Sequence, residues 1–429
     1  MTNSIDRRLF VRGALGLGAL VGLPALASCS KSPTSGGSAG SRSGSGSGAD
    51  AGGGNLLTVV ALSEFTGVYA ELGAEIRQGV ALCKDEYGGK VGKYDLAFVE
   101  RENNAKTDEA VRLVRESIEK GETLFMGTQL SNIALAVSTE VNRGGGVFCT
   151  LAGAPEITGS QCRSSTFRWS NSTYTAGREV VNAVMKAEPQ LKKWYCITPD
   201  YVFGKALLES TTAAVKDNGG QVLGNSYHAT QETEFSSYLN NAAASGADVL
   251  AILNVGGQTI STMKQAIAFG LNKKMKIVIV WSTGLTQFRA IGADNMAGVY
   301  AGAQYWHTVD TPNNKKFVAA VQKKYKINPS YGVAAAYYQC KSMLDGVTNG
   351  GSSKSSAIIA AMESKPFEGV TGKEVFRPED HQLLKDYYVL LGKPASEHAD
   401  ADDMMQVVNA FGDAVPLKDA GCTLVSLGK

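Results

Sequence analysis

The sequence predicts an α/β fold made of two doubly wound lobes, each built on a parallel sheet. Short apolar runs rich in β-branched residues alternate with segments whose apolar residues recur every three or four positions. This is the pattern of buried strands followed by amphipathic helices. The alternation runs from residue 57 to residue 151 and restarts at residue 194. Because strand–helix alternation implies right-handed crossovers and sheets covered on both faces, two successive sets indicate two lobes.

The first set begins with a short apolar strand, which is followed by an amphipathic helix. After the first strand, apolar residues from Leu72 to Tyr87 follow helical spacing, and Ser131 opens the third helix. The strands predicted for this set are residues 57–62, 94–99, 123–126 and 146–151.

The second set repeats the pattern and ends in a long helical tail. Its predicted strands are residues 194–198, 221–228, 249–254 and 276–280, and its predicted helices are 205–217, 235–245 and 257–270. The predicted tail consists of helices at 314–325, 331–348 and 353–364 and a strand at 386–391. A helical tail of this length indicates that the chain returns to cover the first lobe.

Composition restricts the class of protein. The 429 residues include 42 basic and 40 acidic side chains, for a net charge of +2, which gives no electrostatic reason to expect a nucleic-acid partner. None of the four His lies within four residues of another, so a His-based zinc site has little to start from. Dinucleotide, Walker A and CxxC motifs are missing, and the one G-x-S-x-G match, residues 36–40, lies in the Gly/Ser-rich stretch before the body and not between a strand and a helix. We therefore expect no cofactor, no metal and no catalysis.

The start of the chain predicts export. Residues 1–28 combine Arg7-Arg8 with an apolar run and small residues before Cys29, the layout of a twin-arginine-like signal peptide that ends in a lipobox-like sequence. Residues 29–54 follow, and 17 of the 25 positions after Cys29 are Gly or Ser, as in a flexible tether. We expect Cys29 to carry lipid and to anchor the body to a membrane.

Several short segments of the body match stretches that are typical of one protein family. They are residues 66–73, 154–159, 200–204, 234–239, 264–266, 269–270 and 377–382. Taken in this order, the segments resemble the periplasmic solute-binding proteins of branched-chain amino acid-type ABC transporters, which have the type I binding fold. The resemblance covers most of residues 56–425.

The resemblance implies lobe limits and a ligand site. In this family a three-crossover hinge joins the lobes, here with crossings near residues 170, 302 and 389. The implied N-terminal lobe comprises 55–170 and 303–389, and the implied C-terminal lobe comprises 171–302 and 390–429. The ligand lies between the lobes at the carboxyl ends of the strands, and the hinge closes around it.

The resemblance also implies a function. The chain is expected to be an exported, monomeric solute-binding protein of the periplasm or cell surface. It would capture a small amino acid, amide, or organic or aromatic acid and deliver it to an ABC permease and ATPase. A ligand-sensing receptor subunit of the same fold, reporting to a signalling partner, stays open as the alternative.

Residues of the predicted cleft can be named. Ser131 and the N-terminus of its helix suit a carboxylate; from the residues alone Ser131 fits better as a helix cap, and the resemblance reverses that preference. Gly153 stands where many relatives have Thr, which we expect to leave more room. The other residues expected to bind ligand are Asn132, Ala152, Tyr69, Leu72, Tyr201, Phe203, Asn254 and Thr283. For Tyr69 and Leu72, packing of the helix is an equally good interpretation.

The predicted cleft lacks an obvious partner for an ammonium group. Relatives that bind α-amino acids often have an acidic residue where this chain has Thr283 or the pair beginning at Ser172, and a buried, unpaired ammonium is costly. We therefore expect carboxylates and amides with uncharged tails to bind better than leucine or valine, unless Glu64 or Asp200 pairs with the ammonium group.

Six cysteines remain once Cys29 is set aside. Cys162 and Cys422 lie in Gly-containing segments expected to be exposed, and in an oxidising compartment we expect these two to form a disulfide. The other four lie in helical or strand patterns and are expected to be buried free thiols: Cys83, Cys149, Cys196 and Cys340.

Overall fold

Two sheets form the framework of the chain in this computed structural model, which describes residues 55–412 and 414–429. The predicted signal segment 1–28, the tether 29–54 and Cys29 lie outside the described residues. Within the described part, no helix has both the length and the apolar character that crossing a membrane requires.

Strands and helices alternate from the first described residues, as the apolar periodicity predicts. The elements up to residue 168 are β1 Leu56–Ser63, α1 Ala70–Tyr87, β2 Lys90–Val91, β3 Tyr94–Glu102, α2 Thr107–Glu119, β4 Leu124–Gly127, α3 Ser131–Arg143, β5 Val147–Thr150 and β6 Thr166–Arg168. 

The alternation continues in the middle of the chain. The elements there are α4 Thr173–Ala187, β7 Lys193–Pro199, α5 Val202–Asp217, β8 Gln221–His228, α6 Ser236–Ala244, β9 Val249–Ile252, α7 Gly257–Ala268, β10 Lys276–Ser282, α8 Leu285–Ile291, α9 Ala293–Met296 and β11 Tyr300–Ala303. 

The last third of the chain is helical at first and then forms short strands. Its elements are α10 Pro312–Tyr325, α11 Tyr331–Gly350, α12 Ser355–Glu363, β12 Phe367–Gly369, β13 Gly372–Phe376, β14 Leu383–Leu384, β15 Tyr387–Gly392, β16 Met405–Phe411 and α13 Leu417–Ala420.

Each large sheet organises one lobe. The first sheet has the strand order β2-β3-β1-β4-β5-β6, and its neighbouring strands are parallel except at the two-residue edge strand β2. The second has the order β16-β15-β11-β10-β9-β7-β8, with β15 and β16 antiparallel at one edge. The predicted fold class, with two parallel-dominated lobes, is confirmed. The small sheet β12-β13-β14 and the strands β2, β6, β11 and β16 were not predicted.

The tail covers the first sheet through α11, which packs along α1. A Cβ at Gly79 would lie 2.4 Å from the Val333 carbonyl oxygen, so the two helices approach closely only because this residue has no side chain. Cys83 and Cys340 face each other across this contact and form a disulfide, with their Cα atoms 6.5 Å apart. The prediction that both are free thiols is wrong, because the apolar faces that bury them belong to helices pressed against each other.

Three crossovers between the sheets are bonded to one another. The backbone N–H of Asn171 donates to Gln304 Oε1 at 2.8 Å, and Asn171 Nδ2 donates to the Lys385 carbonyl at 3.0 Å. Lys385 Nζ donates to the Gln304 carbonyl at 2.6 Å and lies 4.4 Å from the centroid of the Trp169 ring. Each crossover therefore holds the other two, and the hinge is a single hydrogen-bonded unit.

The end of the chain departs from the predicted lobe limits. The sequence assigns all of 390–429 to the C-terminal lobe, but only β15 and β16 lie in the second sheet. Val425 bridges to Arg163, and Cys422 forms a disulfide with Cys162. Residues 415–429 thus lie against the first lobe, because the disulfide and the bridge hold them there.

We expect Glu75→Gln to change how stability depends on pH. Glu75 on α1 is 4% exposed, its Oε2 accepts the backbone N–H of Gly332 at 2.8 Å, and burial raises its pKa to about 7. A carboxyl whose pKa is raised by folding contributes stability below its unfolded pKa and loses it as the pH rises through 7. From pH 4.5 to 7.5, the variant should therefore gain about 3 kcal/mol relative to the wild type.

Urea denaturation at a series of pH values measures this difference in free energy. The control is Glu119→Gln at the exposed end of α2, for which the difference from the wild type should stay flat across the same range. A flat difference for Glu75→Gln would contradict the prediction.

Candidate functional site

The candidate site lies where the carboxyl ends of the two sheets face each other. The loops after β1, β4 and β5 form one side, and the loops after β7, β8, β9 and β10 form the other. Tyr69 Oη donates to the Thr230 carbonyl across this gap at 2.9 Å. A Cβ at Gly257 would lie 2.7 Å from the Val68 carbonyl oxygen. The lobes therefore touch across the cleft.

Ser131 is buried at the first position of α3 and does not cap its own helix. Its Oγ instead accepts the backbone N–H of Ala154 at 3.1 Å, while the N-cap residue is Leu130. This bond holds the loop after β5 against the start of α3, and the hydroxyl can still donate its own hydrogen. Asn132 is exposed and its Nδ2 donates to Thr107 Oγ1 at 3.1 Å, so the structure does not bring it into the cleft.

Two aromatic rings of the opposite lobe pack against Gly153. A Cβ at Gly153 would lie 2.7 Å from the Trp281 ring and 3.0 Å from the Phe203 ring. The expectation that Gly153 leaves more room is therefore wrong, because these two rings fill the space that a side chain would take. Its neighbour Ala152 is buried, and the Gly153 carbonyl accepts the backbone N–H of Thr173 at 2.9 Å.

The second lobe forms an aromatic wall. Tyr201 and Phe203 are stacked with ring centroids 5.7 Å apart, and Phe203 meets Trp281 edge to face at 5.1 Å. Such contacts stabilise a fixed ring arrangement beyond the area that they bury. Burial raises the pKa of Tyr201 well above its ordinary value, and Tyr69 and Glu64 add to the shift. The wall is therefore neutral, and a tyrosine of each lobe lies within electrostatic reach of Glu64.

Tyr69 and Leu72 lie in different surroundings. Tyr69 makes the contact across the cleft, whereas Leu72 is buried in the first lobe, where its Cδ1 would lie 2.3 Å from a Cβ placed on Gly332. Leu72 therefore packs α1 against α11 and is not a wall of the cleft.

The two acidic residues considered as partners of an ammonium group lie in different places. Glu64, directly after β1, is 1% exposed; its Oε1 accepts Asn103 Nδ2 at 3.0 Å and its Oε2 accepts the Gln129 N–H at 2.8 Å. Burial raises its pKa. Asp200 is exposed and pairs with Lys205 at 2.9 Å. Of the two, Glu64 is the one that acts electrostatically on the cleft residues Tyr69 and Tyr201.

Asn254 and Thr283 also differ in the hydrogen bonds that their side chains already make. Asn254 Oδ1 lies 2.7 Å from His228 Nε2 and its Nδ2 donates to Thr262 Oγ1 at 2.8 Å, so both ends of its side chain are bonded within the second lobe. The Oγ1 of Thr283 is buried without a hydrogen-bond partner among the described residues, and its carbonyl accepts Ser330 Oγ at 2.9 Å. An unpaired buried hydroxyl is costly, which marks Thr283 as a place where a ligand could bond.

Two further residues contribute to the site, although neither is among the residues expected to bind ligand. Trp281, at the end of β10, packs into the first lobe over Gly153. Gln129, in the loop after β4, donates through Nε2 to the Glu64 carbonyl at 3.0 Å, and its buried Oε1 has no partner in the described part of the chain. Trp281 lies at the end of a strand and Gln129 just after one, both at the cleft edge of a sheet, which is the signal that could have found them. Across residues 55–412 and 414–429, His, Cys, Asp and Glu form no group of three that could hold a metal ion.

Comparisons with known proteins agree on one family. The profile of the periplasmic binding protein family matches residues 57–396. The Leu/Ile/Val-binding protein homolog 6 of Brucella melitensis is 25% identical over 363 residues, which cover 81% of this chain and 89% of that protein. 

Solved structures give the same result. The amino acid ABC transporter substrate-binding protein of Pseudomonas fluorescens Pf-5 superposes with a TM-score of 0.82 at 43% identity, covering 86% of this chain and 99% of its own. A periplasmic binding protein of Burkholderia mallei superposes with a TM-score of 0.81 at 27% identity, covering 87% and 100%.

We expect Gly153→Thr to destabilise the protein by about 1–3 kcal/mol, because the added side chain overlaps Trp281 and Phe203. Trp281→Ala in the same chain should relieve part of that cost, since it empties the space that the new side chain needs. Urea denaturation of the wild type, both single variants and the double variant gives the coupling energy. Additive effects of the two changes would show that the side chains do not compete for one space.

Proposed function

The chain belongs to the periplasmic binding protein family, and on that premise we propose that it captures a small polar or carboxylate-bearing solute and delivers it to an ABC importer. The observation that carries the proposal is the contact of the two lobes across a cleft lined at the strand ends. A protein that works by closing two lobes around a solute needs such a cleft and a hinge.

The cleft has features that suit a carboxylate. The hydroxyl of Ser131 can donate a hydrogen bond, and the first turn of α3 has N–H groups without partners inside the helix. The rings of Phe203 and Trp281 supply an apolar surface on the opposite side. This combination supports an amino acid, an amide, or an organic or aromatic acid as the solute. The resemblance to proteins named for amino acids supports the first of these.

Delivery implies two kinds of partner. We propose that a monomer of this protein presents its loaded cleft to a membrane permease, whose ATPase subunit drives import. The protein itself performs no chemistry in this proposal. Its cleft residues bind and enclose the solute.

The proposal also includes attachment of the protein to a membrane. The signal-like residues 1–28 and the Gly/Ser-rich 29–54 support an exported lipoprotein in which lipid on Cys29 holds the body at a membrane surface. The tether would allow the body a reach of about 25–30 Å from that surface.

A ligand screen tests the proposed solute class. We expect amino acids, amides or aromatic acids to raise the melting temperature, because a ligand that binds the native state stabilises it. Calorimetry then compares leucine with 4-methylpentanoate, which lacks only the amino group. We expect the latter to bind about 100-fold more tightly, since an unpaired ammonium costs a few kcal/mol. Ser131→Ala should weaken every carboxylate that binds.

The matched control is Ser138→Ala, also on α3 and buried, whose Oγ bonds Thr166 Oγ1 at 2.8 Å away from the cleft. It should leave affinity unchanged. Tighter binding of leucine than of its deaminated analogue would reverse the expected preference and point to Glu64 or Asp200 as the ammonium partner. No thermal shift with any of these compounds would contradict the proposed solute class.

A separate prediction concerns the anchor. We expect Cys29→Ala to abolish lipid attachment, so that the protein is released or stays unprocessed, because the thioether to lipid forms on this sulfur. Mass spectrometry of the wild-type N-terminus and fractionation of both proteins measure the outcome. An unmodified wild-type N-terminus at another residue would contradict it.

A further inference from the structure

The last residues of the chain connect the two lobes a fourth time. β16 is paired with β15 in the second sheet, and its last residue, Phe411, lies opposite Tyr387. Four residues later, the Val415 carbonyl accepts Arg377 Nη2 at 3.0 Å. Arg377 belongs to the first lobe, where its Nε donates to the buried Asp380 at 2.9 Å. We call residues 415–429 the strap.

The strap is fastened to the first lobe along its length. Cys422 is bonded to Cys162, and the Ser164 N–H donates to the Val425 carbonyl at 3.0 Å. Near the end of α3, the buried Asn142 donates through Nδ2 to the carbonyls of Ser426 and Lys429 at 2.9 and 3.0 Å. A covalent bond and several backbone hydrogen bonds therefore prevent the strap from following the second lobe.

The strap also lies across the junction and not on one lobe alone. A cavity of about 370 Å³ has walls from the first lobe (Glu156), from the second lobe (Tyr174 and Arg178) and from the strap (Asp419). Any movement of one lobe against the other therefore changes the space beneath the strap.

The connection between the lobes is short at this point. Phe411 is held in the second sheet and Val415 is held by the first lobe, and only residues 412–414 separate them. Four Cα-to-Cα steps span at most about 14 Å when fully extended. The lobes cannot part further than this at the strap unless the last pair of β16 or the Arg377 contact breaks.

From these contacts we propose that the strap limits how far the cleft opens and so keeps the ligand-free protein close to its binding-competent form. An apparent dissociation constant rises as the competent fraction falls. A restraint on opening therefore tightens binding of whatever solute the cleft takes. The proposal goes beyond solute capture, because it concerns the motion of the lobes and does not depend on which solute binds.

Lengthening the connection tests the proposal without removing a single contact. Six Gly/Ser residues inserted between Ala414 and Val415 keep the disulfide and every bond of the strap. The control places the same insert between Gly88 and Gly89, a turn whose flanking elements α1 and β2 both lie in the first lobe. Small-angle scattering of the ligand-free proteins measures the radius of gyration.

We expect the insert at 414–415 to raise the radius of gyration by on the order of 1 Å over that of the control, against about 21 Å for a compact body of this size. Equal radii for the two insertion variants would overturn the proposal. Because no ligand is added, this result is independent of whether the proposed solute class is right.

The disulfides supply a second test with a matched pair. Cys162→Ser with Cys422→Ser frees the end of the strap, whereas Cys83→Ser with Cys340→Ser removes a bond wholly inside the first lobe. We expect faster amide hydrogen exchange in 415–429 and a larger radius of gyration only for the first pair. The same changes in both pairs, or in neither, would count against the strap as a restraint.

Discussion

The ammonium group of Lys385 is buried where the three crossovers meet, and the relation between the lobes depends on it. Taking this charge out of water lowers its pKa to about 8 and would be costly without partners. Its partners are the Gln304 carbonyl, the Trp169 ring and the electrostatic attraction of Glu374. Gln304 and Trp169 belong to the other two crossovers and Glu374 to β13, so the charge is compensated only when the crossovers and β13 are assembled. The hinge is therefore specified by polar contacts, while the lobes are specified by apolar burial.

The two lobes contribute side chains of different size to the cleft. The first lobe presents small residues at its strand ends, such as Ala152 and Gly153, and the second presents the rings of Phe203 and Trp281. Rings on both sides would hold the lobes apart, and small residues on both sides would leave the cleft without an apolar wall. The absence of a side chain at Gly153 is therefore a condition for the contact between the lobes.

The sequence predicts the fold because apolar periodicity is a local property. Leu72, Ile76 and Cys83 define one face of α1 without any knowledge of what covers it. The partner of such a face depends on residues that are distant in the chain. The disulfide from Cys83 to Cys340 and the contact of the Trp281 ring with Gly153 both join residues more than 120 positions apart. Short elements such as β6 and β14 carry too few residues to show a period. The loops of the site could be predicted from strand ends, but side-chain directions within them could not.

The order of elements along the chain has a consequence for synthesis. The strands β7 to β11 of the second sheet occupy one continuous stretch, residues 193–303, whereas the first lobe is completed only by α11, which begins at Tyr331. Both disulfides of the first lobe likewise join residues more than 250 positions apart. During translation from the N-terminus, the five strands β7 to β11 are thus complete before α11 has been made, although the first lobe is begun before them. Until α11 has been made, one apolar face of the first sheet is only partly covered, by α1, and exposed apolar surface is the condition under which nascent chains aggregate or need chaperones.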